Sequence, residues 1–161
     1  MKKIVFIFLL LSETVLAQKG MFFTLEAYFP SVNLNESNLV SQQIKLGIGY
    51  SFSNKVNLKL NIGNGLMGNE IEPAKITQNF YSYGLCADYM FINSSNGYKI
   101  GLEALGDYNT TINAIYQEHF SCQGALKIQL PSKVFFKAGI QNRFLVNNAT
   151  ELIVSFGIKL Q

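Results

Sequence analysis

One short stretch of the chain carries residue types that can perform catalysis. His119 and Ser121 stand two residues apart, separated by Phe120. An imidazole that accepts the proton of a serine hydroxyl makes the serine a nucleophile, and a carboxylate that orients the ring completes such a site. Residues two apart on a strand share one face, so both side chains would point the same way. A lone histidine on a polar strand face, inside a barrel or near its rim, is the simpler interpretation, because short motifs are weak evidence.

Other binding chemistry is sparse. The chain has one histidine and two cysteines, Cys86 and Cys122, which are too few ligands for a common zinc site. Glu70, Glu72 and Asp107 fall in or near predicted loops, where calcium would find oxygen ligands but carboxylates are usually just solvated. No glycine-rich loop precedes a helix in the way a phosphate site requires. We therefore predict no metal site and no cofactor.

The composition is unusual for a soluble domain. Of the 161 residues, 48% are hydrophobic and only 14% are charged, whereas about a quarter is charged in an average soluble domain. The net charge is +3 and no cluster of lysines and arginines stands out, so a nucleic-acid partner is not expected. The length suits one domain.

The first 17 residues have the parts of a secretory signal peptide. Lys2 and Lys3 form a basic start, residues 4–11 form an apolar core, and residues 15–17 supply a small residue for cleavage. We predict a cleaved signal peptide over residues 1–17 and an exported domain over residues 18–161. No later stretch has the roughly 20 apolar residues of a membrane-spanning helix, so contact with a membrane would be made through strands.

The exported domain alternates between apolar and polar residues in eight segments, without a competing helical period. In the clearest segment, Ile44, Leu46 and Ile48 alternate with Lys45 and Gly47. Side chains on a strand alternate between two faces, so each segment predicts a strand with one apolar and one polar face. The predicted strands cover approximately residues 20–29, 40–52, 56–63, 79–91, 98–108, 117–130, 134–144 and 151–160.

The connections between these strands alternate in length. Short turns rich in Ser, Asn, Gly and Pro lie at residues 53–55, 93–97 and 131–133, and the longest of the other connections covers about residues 66–78. An up-and-down barrel has short turns at one rim and long loops at the other. The pattern therefore predicts an eight-stranded antiparallel up-and-down barrel.

Strand length and aromatic placement predict that the apolar face meets lipid. Runs near 10 residues suit a tilted membrane strand. The aromatic side chains of the apolar face lie near strand ends, where a membrane places them at headgroup level. The predicted aromatic girdle comprises Tyr50, Phe52, Tyr81, Tyr83, Tyr89, Phe91, Tyr98 and Tyr108.

The polar face combines glycines with charges of both signs. An eight-stranded barrel holds side chains and little else, and glycines leave room for long charged side chains to pair, as buried charges must. The predicted lumen charge network is Glu26, Lys45, Lys59, Asp88, Lys99, Glu103, Lys127, Lys137 and Lys159. Cys86 and Cys122 fall on opposite faces, so no disulfide is expected. The predicted fold class is all-β, a transmembrane barrel with a polar, side-chain-filled lumen.

Eight residues break the pattern of faces. Gln42, Glu118 and Asn142 fall on the apolar face, near the long-loop rim, where a polar group reaches water. Five apolar residues fall on the polar face, which indicates either packing inside the lumen or a slip of the predicted register. They are Phe80, Met90, Leu105, Phe135 and Ile153.

The exported domain resembles the small eight-stranded outer-membrane β-barrels, the group that includes the transmembrane domain of outer membrane protein A and outer membrane protein X. The whole pattern over residues 18–161 carries the resemblance, together with a final strand in which Phe156, Ile158 and Leu160 alternate. It implies a bacterial outer-membrane location, contact with outer-membrane lipid, and recognition by the barrel assembly machinery. That machinery usually reads a terminal aromatic residue, and here the chain ends in Leu160 and Gln161.

The same resemblance leaves the specific task open, because members of the group serve as anchors, adhesion or resistance factors, and enzymes. We expect a monomer without a large open pore, whose outward loops contact a partner that the sequence does not identify. His119 and Ser121 also resemble the His-x-Ser motif of lipid A deacylases, which are barrels of the same size. The active site of that family faces the membrane, whereas strand parity places this pair in the lumen, so we predict a protein that is not an enzyme.

A soluble barrel is the main alternative. A secreted, lipocalin-like carrier of an apolar ligand shares the strand number and the alternation. The two hypotheses differ in which face of the sheet is turned outward.

Overall fold

The computed structural model describes residues 20–29, 32–34, 39–69, 78–111, 118–144 and 148–160. The predicted signal peptide over residues 1–17 lies outside these described residues, as do Glu70 and Glu72. No helix within them is long and apolar enough to cross a membrane.

Nine strands follow one another within the described residues. They are β1 (Met21–Tyr28), β2 (Val32–Asn33), β3 (Leu39–Ser51), β4 (Val56–Asn69), β5 (Gln78–Asn93), β6 (Lys99–Thr111), β7 (His119–Gln129), β8 (Val134–Phe144) and β9 (Ala149–Leu160). Each long strand pairs antiparallel with the next, and β1 pairs with both β3 and β9, which closes the sheet. The predicted antiparallel barrel is confirmed.

The first predicted strand is confirmed as β1, and the short strand β2 that follows it was not predicted. The two residues of β2 pair with Leu152 and Glu151 of β9, beyond the stretch that β1 covers on the same strand. Together β1 and β2 therefore occupy one position in a wall of eight strands.

The hairpin of β3 and β4 is longer than the alternation predicts. The predicted strand stops near residue 63, where glycines interrupt the apolar pattern. The backbone ladder continues regardless, with Gln43 opposite Gly65 and Val40 opposite Gly68. Ladder hydrogen bonds need only backbone groups, so pairing persists where the side-chain signal fades.

The apolar face of the wall is turned outward. Leu46 and Leu102 have 54% and 56% of their surface exposed, whereas Lys45 and Glu103 have 0% and 2%. The predicted orientation is confirmed. The lipocalin-like alternative is wrong, because it requires the apolar side chains to line the interior.

The five apolar residues on the polar face are buried in the lumen, so the predicted faces hold there. The one shift of register beside them is a bulge between Met90 and Ile92. Phe80 and Phe135 are fully buried, and each lies across the ladder from a glycine, Gly65 and Gly157. A Cβ added to either glycine would lie within 2.5 Å of the facing ring. The missing side chain is thus what admits the aromatic ring.

The two cysteines stay apart. Cys86 is buried in the lumen wall, Cys122 is exposed on the outside, and both are free. β6 lies between their strands. The two thiols lie on opposite faces of the wall, as the predicted strand parity requires.

Candidate functional site

Six charged side chains fill the centre of the lumen, one from each of six strands. We call these residues the central cluster: Glu26 of β1, Lys59 of β4, Asp88 of β5, Glu103 of β6, Lys127 of β7 and Lys137 of β8. All six are at least 96% buried. Alternation along each strand aims these side chains inward, and three carboxylates balance three ammonium groups.

Glu103 is the branch point of the central cluster. Its Oε1 lies 2.5 Å from Lys137 Nζ, and its Oε2 lies 3.4 Å from Lys127 Nζ and 3.7 Å from Lys59 Nζ. Lys127 Nζ also lies 2.6 Å from Asp88 Oδ2.

Glu26 completes a closed ring with Glu103. Lys137 Nζ lies 2.5 Å from Glu26 Oε2, and Lys59 is ion-paired with the other oxygen of Glu26. Two lysines therefore each join the same two carboxylates. The hydroxyl of Tyr28 donates to Glu26 Oε2 at 3.1 Å. The ring crosses the lumen, so it connects opposite walls as well as neighbouring strands.

A second cluster lies toward the long-loop rim, and sequence reasoning missed its two charged members. Arg143 Nε donates to Glu151 Oε1 at 2.9 Å, and Arg143 Nη2 donates to Ser41 Oγ at 2.7 Å. The guanidinium lies 5.5 Å from the centre of the Phe80 ring. Strand parity places Arg143 and Glu151 on the lumen face, so the signal for both was present in the sequence.

The other predicted network residues lie above and below the central cluster. Lys45 is ion-paired with Asp107, between the two clusters. Near the short-turn rim, Lys159 donates to Ser51 Oγ at 3.2 Å, and its Nζ lies 3.9 Å from the centre of the Phe22 ring. Within the described part of the chain, neither Lys159 nor Lys99 has a carboxylate oxygen within ion-pair distance.

His119 and Ser121 lie on the lumen face of β7, where both are at least 97% buried. The Nε2 atom of His119 lies 3.4 Å from Arg143 Nη1, and Ser121 Oγ accepts a hydrogen bond of 3.1 Å from Asn109 Nδ2. The wall of the barrel separates the pair from the outward, apolar surface. This position suits a structural contact with the Arg143 cluster better than hydrolysis of a membrane lipid.

Cys86, Asp88 and Glu103 place three ligand atoms within 4.8 Å of one another. The ammonium of Lys127 lies among the carboxylates, 2.6 Å from Asp88 and 3.4 Å from Glu103. A lysine already supplies the positive charge that a metal ion would bring, so the trio belongs to the ion-pair network.

Aromatic residues on the outward face lie near both rims, and one row is continuous across four strands. Tyr83 pairs with Tyr108, Tyr108 with Phe120, and Phe120 with Phe144. Sequence reasoning missed Phe120 and Phe144, although both stand on the apolar face near strand ends. Tyrosine hydroxyls are stable at the depth of the lipid headgroups. The hydroxyl of Tyr108 donates a hydrogen bond to Glu118.

Comparison with known proteins identifies the fold. No protein-family model matches the sequence, and no curated protein matches it. Among solved structures, the outer membrane enzyme PagL matches with a TM-score of 0.58 and 10% identity, covering 84% of this chain and 98% of that one. Neisserial surface protein A matches with a TM-score of 0.58 and 16% identity, and the match covers 87% of this chain and 97% of that one.

The outer membrane protein Ail of Yersinia pestis, in a phospholipid nanodisc, matches with a TM-score of 0.53 and 10% identity, covering 89% of this chain and 100% of that one. Each of these matches covers nearly the whole of the compared barrel. The chain therefore has the fold of the small eight-stranded outer-membrane β-barrels.

Proposed function

We propose that this chain is an outer-membrane β-barrel with a structural or surface-interaction role, whose outward loops contact a partner. The observation that carries the proposal is the plugged lumen. The ring formed by Glu26, Lys59, Glu103 and Lys137 crosses the interior. Such a barrel passes no large solute and holds no apolar ligand, so its task falls to its surfaces and loops.

The outward surface supports a membrane location. An aliphatic band that includes Leu46 and Leu102 lies between two levels of aromatic residues, which is the arrangement that a bilayer stabilises. The likeness to Neisserial surface protein A and to Ail concerns the fold, and both are named as surface or outer-membrane proteins.

Fractionation tests the location. We expect the chain to sediment with outer membranes and to migrate more slowly in a gel after boiling, because heat opens the closed barrel. Release in a periplasmic wash without detergent would contradict the proposal.

Planar-bilayer recording tests the plugged lumen. We expect no steady conductance on the scale of a porin from the purified barrel. A matched variant replaces Glu103 and Lys137 together by alanine, which removes the branch point of the central cluster. If the cluster plugs the lumen, this variant should conduct more than the native chain. Porin-scale conductance of the native chain would show that the lumen is open.

The proposal is for a protein that is not an enzyme. PagL shares the fold and is an enzyme, so the fold alone does not decide the question. The lumen position of His119 and Ser121 supports the non-enzymatic alternative, because neither side chain faces the lipid.

A further inference from the structure

Charged side chains outside the lumen are divided between the two rims. Within the described residues, Lys55 and Lys133 are exposed in short turns, and the exposed acid is Glu118 on the outward face near the long loops. Lys99 lies half-buried at the short-turn rim, and Lys159 near it is buried in the lumen. Asp88, deeper in the lumen, is buried and paired with Lys127.

We call Lys55, Lys99 and Lys133 the cationic rim. No described acid outside the lumen offsets these three charges at that end of the barrel. Among the residues that the structure describes, no carboxylate is ion-paired with Lys55 or Lys133, and both side chains are exposed.

Hydrogen bonds hold the two exposed lysines at defined positions. The carbonyl of Lys55 accepts from Met90 N at 2.7 Å, and the carbonyl of Lys133 accepts from Lys159 N at 2.9 Å. The hydroxyl of Ser53 accepts from the backbone N of Lys55 at 3.2 Å. These bonds tie each turn to the strand beside it, so the rim presents its charges on a rigid frame.

Aromatic side chains mark the depth of this rim. The rings of Phe52 and Tyr50 pack edge to face, with their centroids 5.0 Å apart, and both residues stand a few positions before Lys55. Tyr98 is exposed on the outward face directly before Lys99. Aromatic residues prefer the membrane–water interface, and a lysine beside them reaches the phosphate level with its flexible stem.

We propose that the cationic rim binds anionic phospholipid headgroups in the leaflet on the short-turn side. The inference rests on the proposed function, because it requires the barrel to span a bilayer. Lysines at a membrane surface attract anionic lipid over distances of about a Debye length. A phospholipid fits better than a protein partner, because the turn tips carry small polar residues rather than a large apolar anchor. These tip residues are Ser53, Asn54, Ser94, Ser95, Asn96 and Ser132.

Spin-labelled lipids test the proposal in bilayers of phosphatidylcholine that contain the purified full chain. Electron spin resonance gives the fraction of labelled phosphatidylglycerol, or of labelled phosphatidylcholine, that is immobilised at the barrel surface. We expect phosphatidylglycerol to be preferred about fivefold, with the preference falling as salt rises. The double variant K55Q/K133Q should bring the ratio of the two association constants close to one.

Two matched variants serve as controls. K55R/K133R keeps the charge and should keep the preference, and E118Q changes one charge at the opposite rim and should leave it unchanged. Equal association of both lipids with the native barrel would overturn the proposal, as would a preference that survives in K55Q/K133Q.

Gel migration before and after boiling, measured on every sample, separates this proposal from the one it rests on. A barrel that inserts but shows no lipid preference contradicts only the cationic rim. A chain that does not insert into the phosphatidylcholine bilayer contradicts the membrane function itself.

Discussion

Glu103 Oε1 and Lys137 Nζ lie 2.5 Å apart at the centre of the barrel. Each has further partners of opposite sign, so neither charge depends on a single contact. This pair therefore joins parts of the wall that are not adjacent, since Lys137 also reaches Glu26 of β1. The interior is held by a shared network rather than by independent bridges.

The first prediction concerns the branch point of the central cluster. Glu103→Gln leaves three buried ammonium groups with two carboxylates, and breaking a buried pair from one side costs about 3–5 kcal/mol. Urea unfolding of the barrel in vesicles should show this loss. Glu118→Gln is the matched control on the exposed surface and should change stability by less than about 0.5 kcal/mol. A loss in E103Q no larger than in the control would show that the network contributes little.

The second prediction concerns the space between Phe135 and Gly157. A Cβ on Gly157 would lie 2.4 Å from the Phe135 ring and 2.7 Å from the Leu25 carbonyl oxygen. Gly157→Ala should therefore destabilise the barrel by about 1–3 kcal/mol.

A second change relieves part of that clash. Adding Phe135→Leu should recover some of the loss, giving a coupling energy of at least about 0.5 kcal/mol in a double-mutant cycle. If the stability changes of the two substitutions were strictly additive, the packing of the Phe135 ring would not depend on Gly157.

The third prediction tests which face meets lipid. Leu46 stands on the outward face, four residues from Tyr50 toward one rim and four from Gln42 toward the other. An arginine at the bilayer midplane costs about 2–4 kcal/mol, and one near the interface about 0–1 kcal/mol. We expect Leu46→Arg to destabilise the barrel far more than Gln42→Arg. The free energy of unfolding of each variant in vesicles provides the measurement. Equal costs would mean that neither position contacts the hydrocarbon.

The fourth prediction concerns the histidine and serine of β7. His119→Ala and Ser121→Ala should leave lipid A acylation unchanged, because both side chains lie inside the wall. Mass spectrometry of lipid A from cells that express each variant provides the measurement. If expression of the native chain removed an acyl group and either variant abolished that loss, the non-enzymatic proposal would fail.

Strand number, the apolar exterior and most lumen charges follow from period-two alternation, because that signal depends only on side-chain direction. Phe80 and Phe135 could not be assigned from alternation, since their facing glycines are distant in sequence and become neighbours only through the register. Arg143 and Glu151 had the correct parity, but no local pattern shows which charges will meet across a lumen. The short strand β2, beyond the end of the first predicted strand, has no evident signal in the alternation.

The seam between β1 and β9 has a consequence for assembly. Glu26 is separated from Lys137 by 111 residues, and β1 completes the cylinder only when it meets the last strand. A sheet with an open seam would leave Lys137 without Glu26, one of the two carboxylates that neutralise it, in surroundings where an unpaired charge is costly. We therefore expect sealing of the seam and neutralisation of the interior to occur as one concerted event, which disfavours half-built forms in the bilayer.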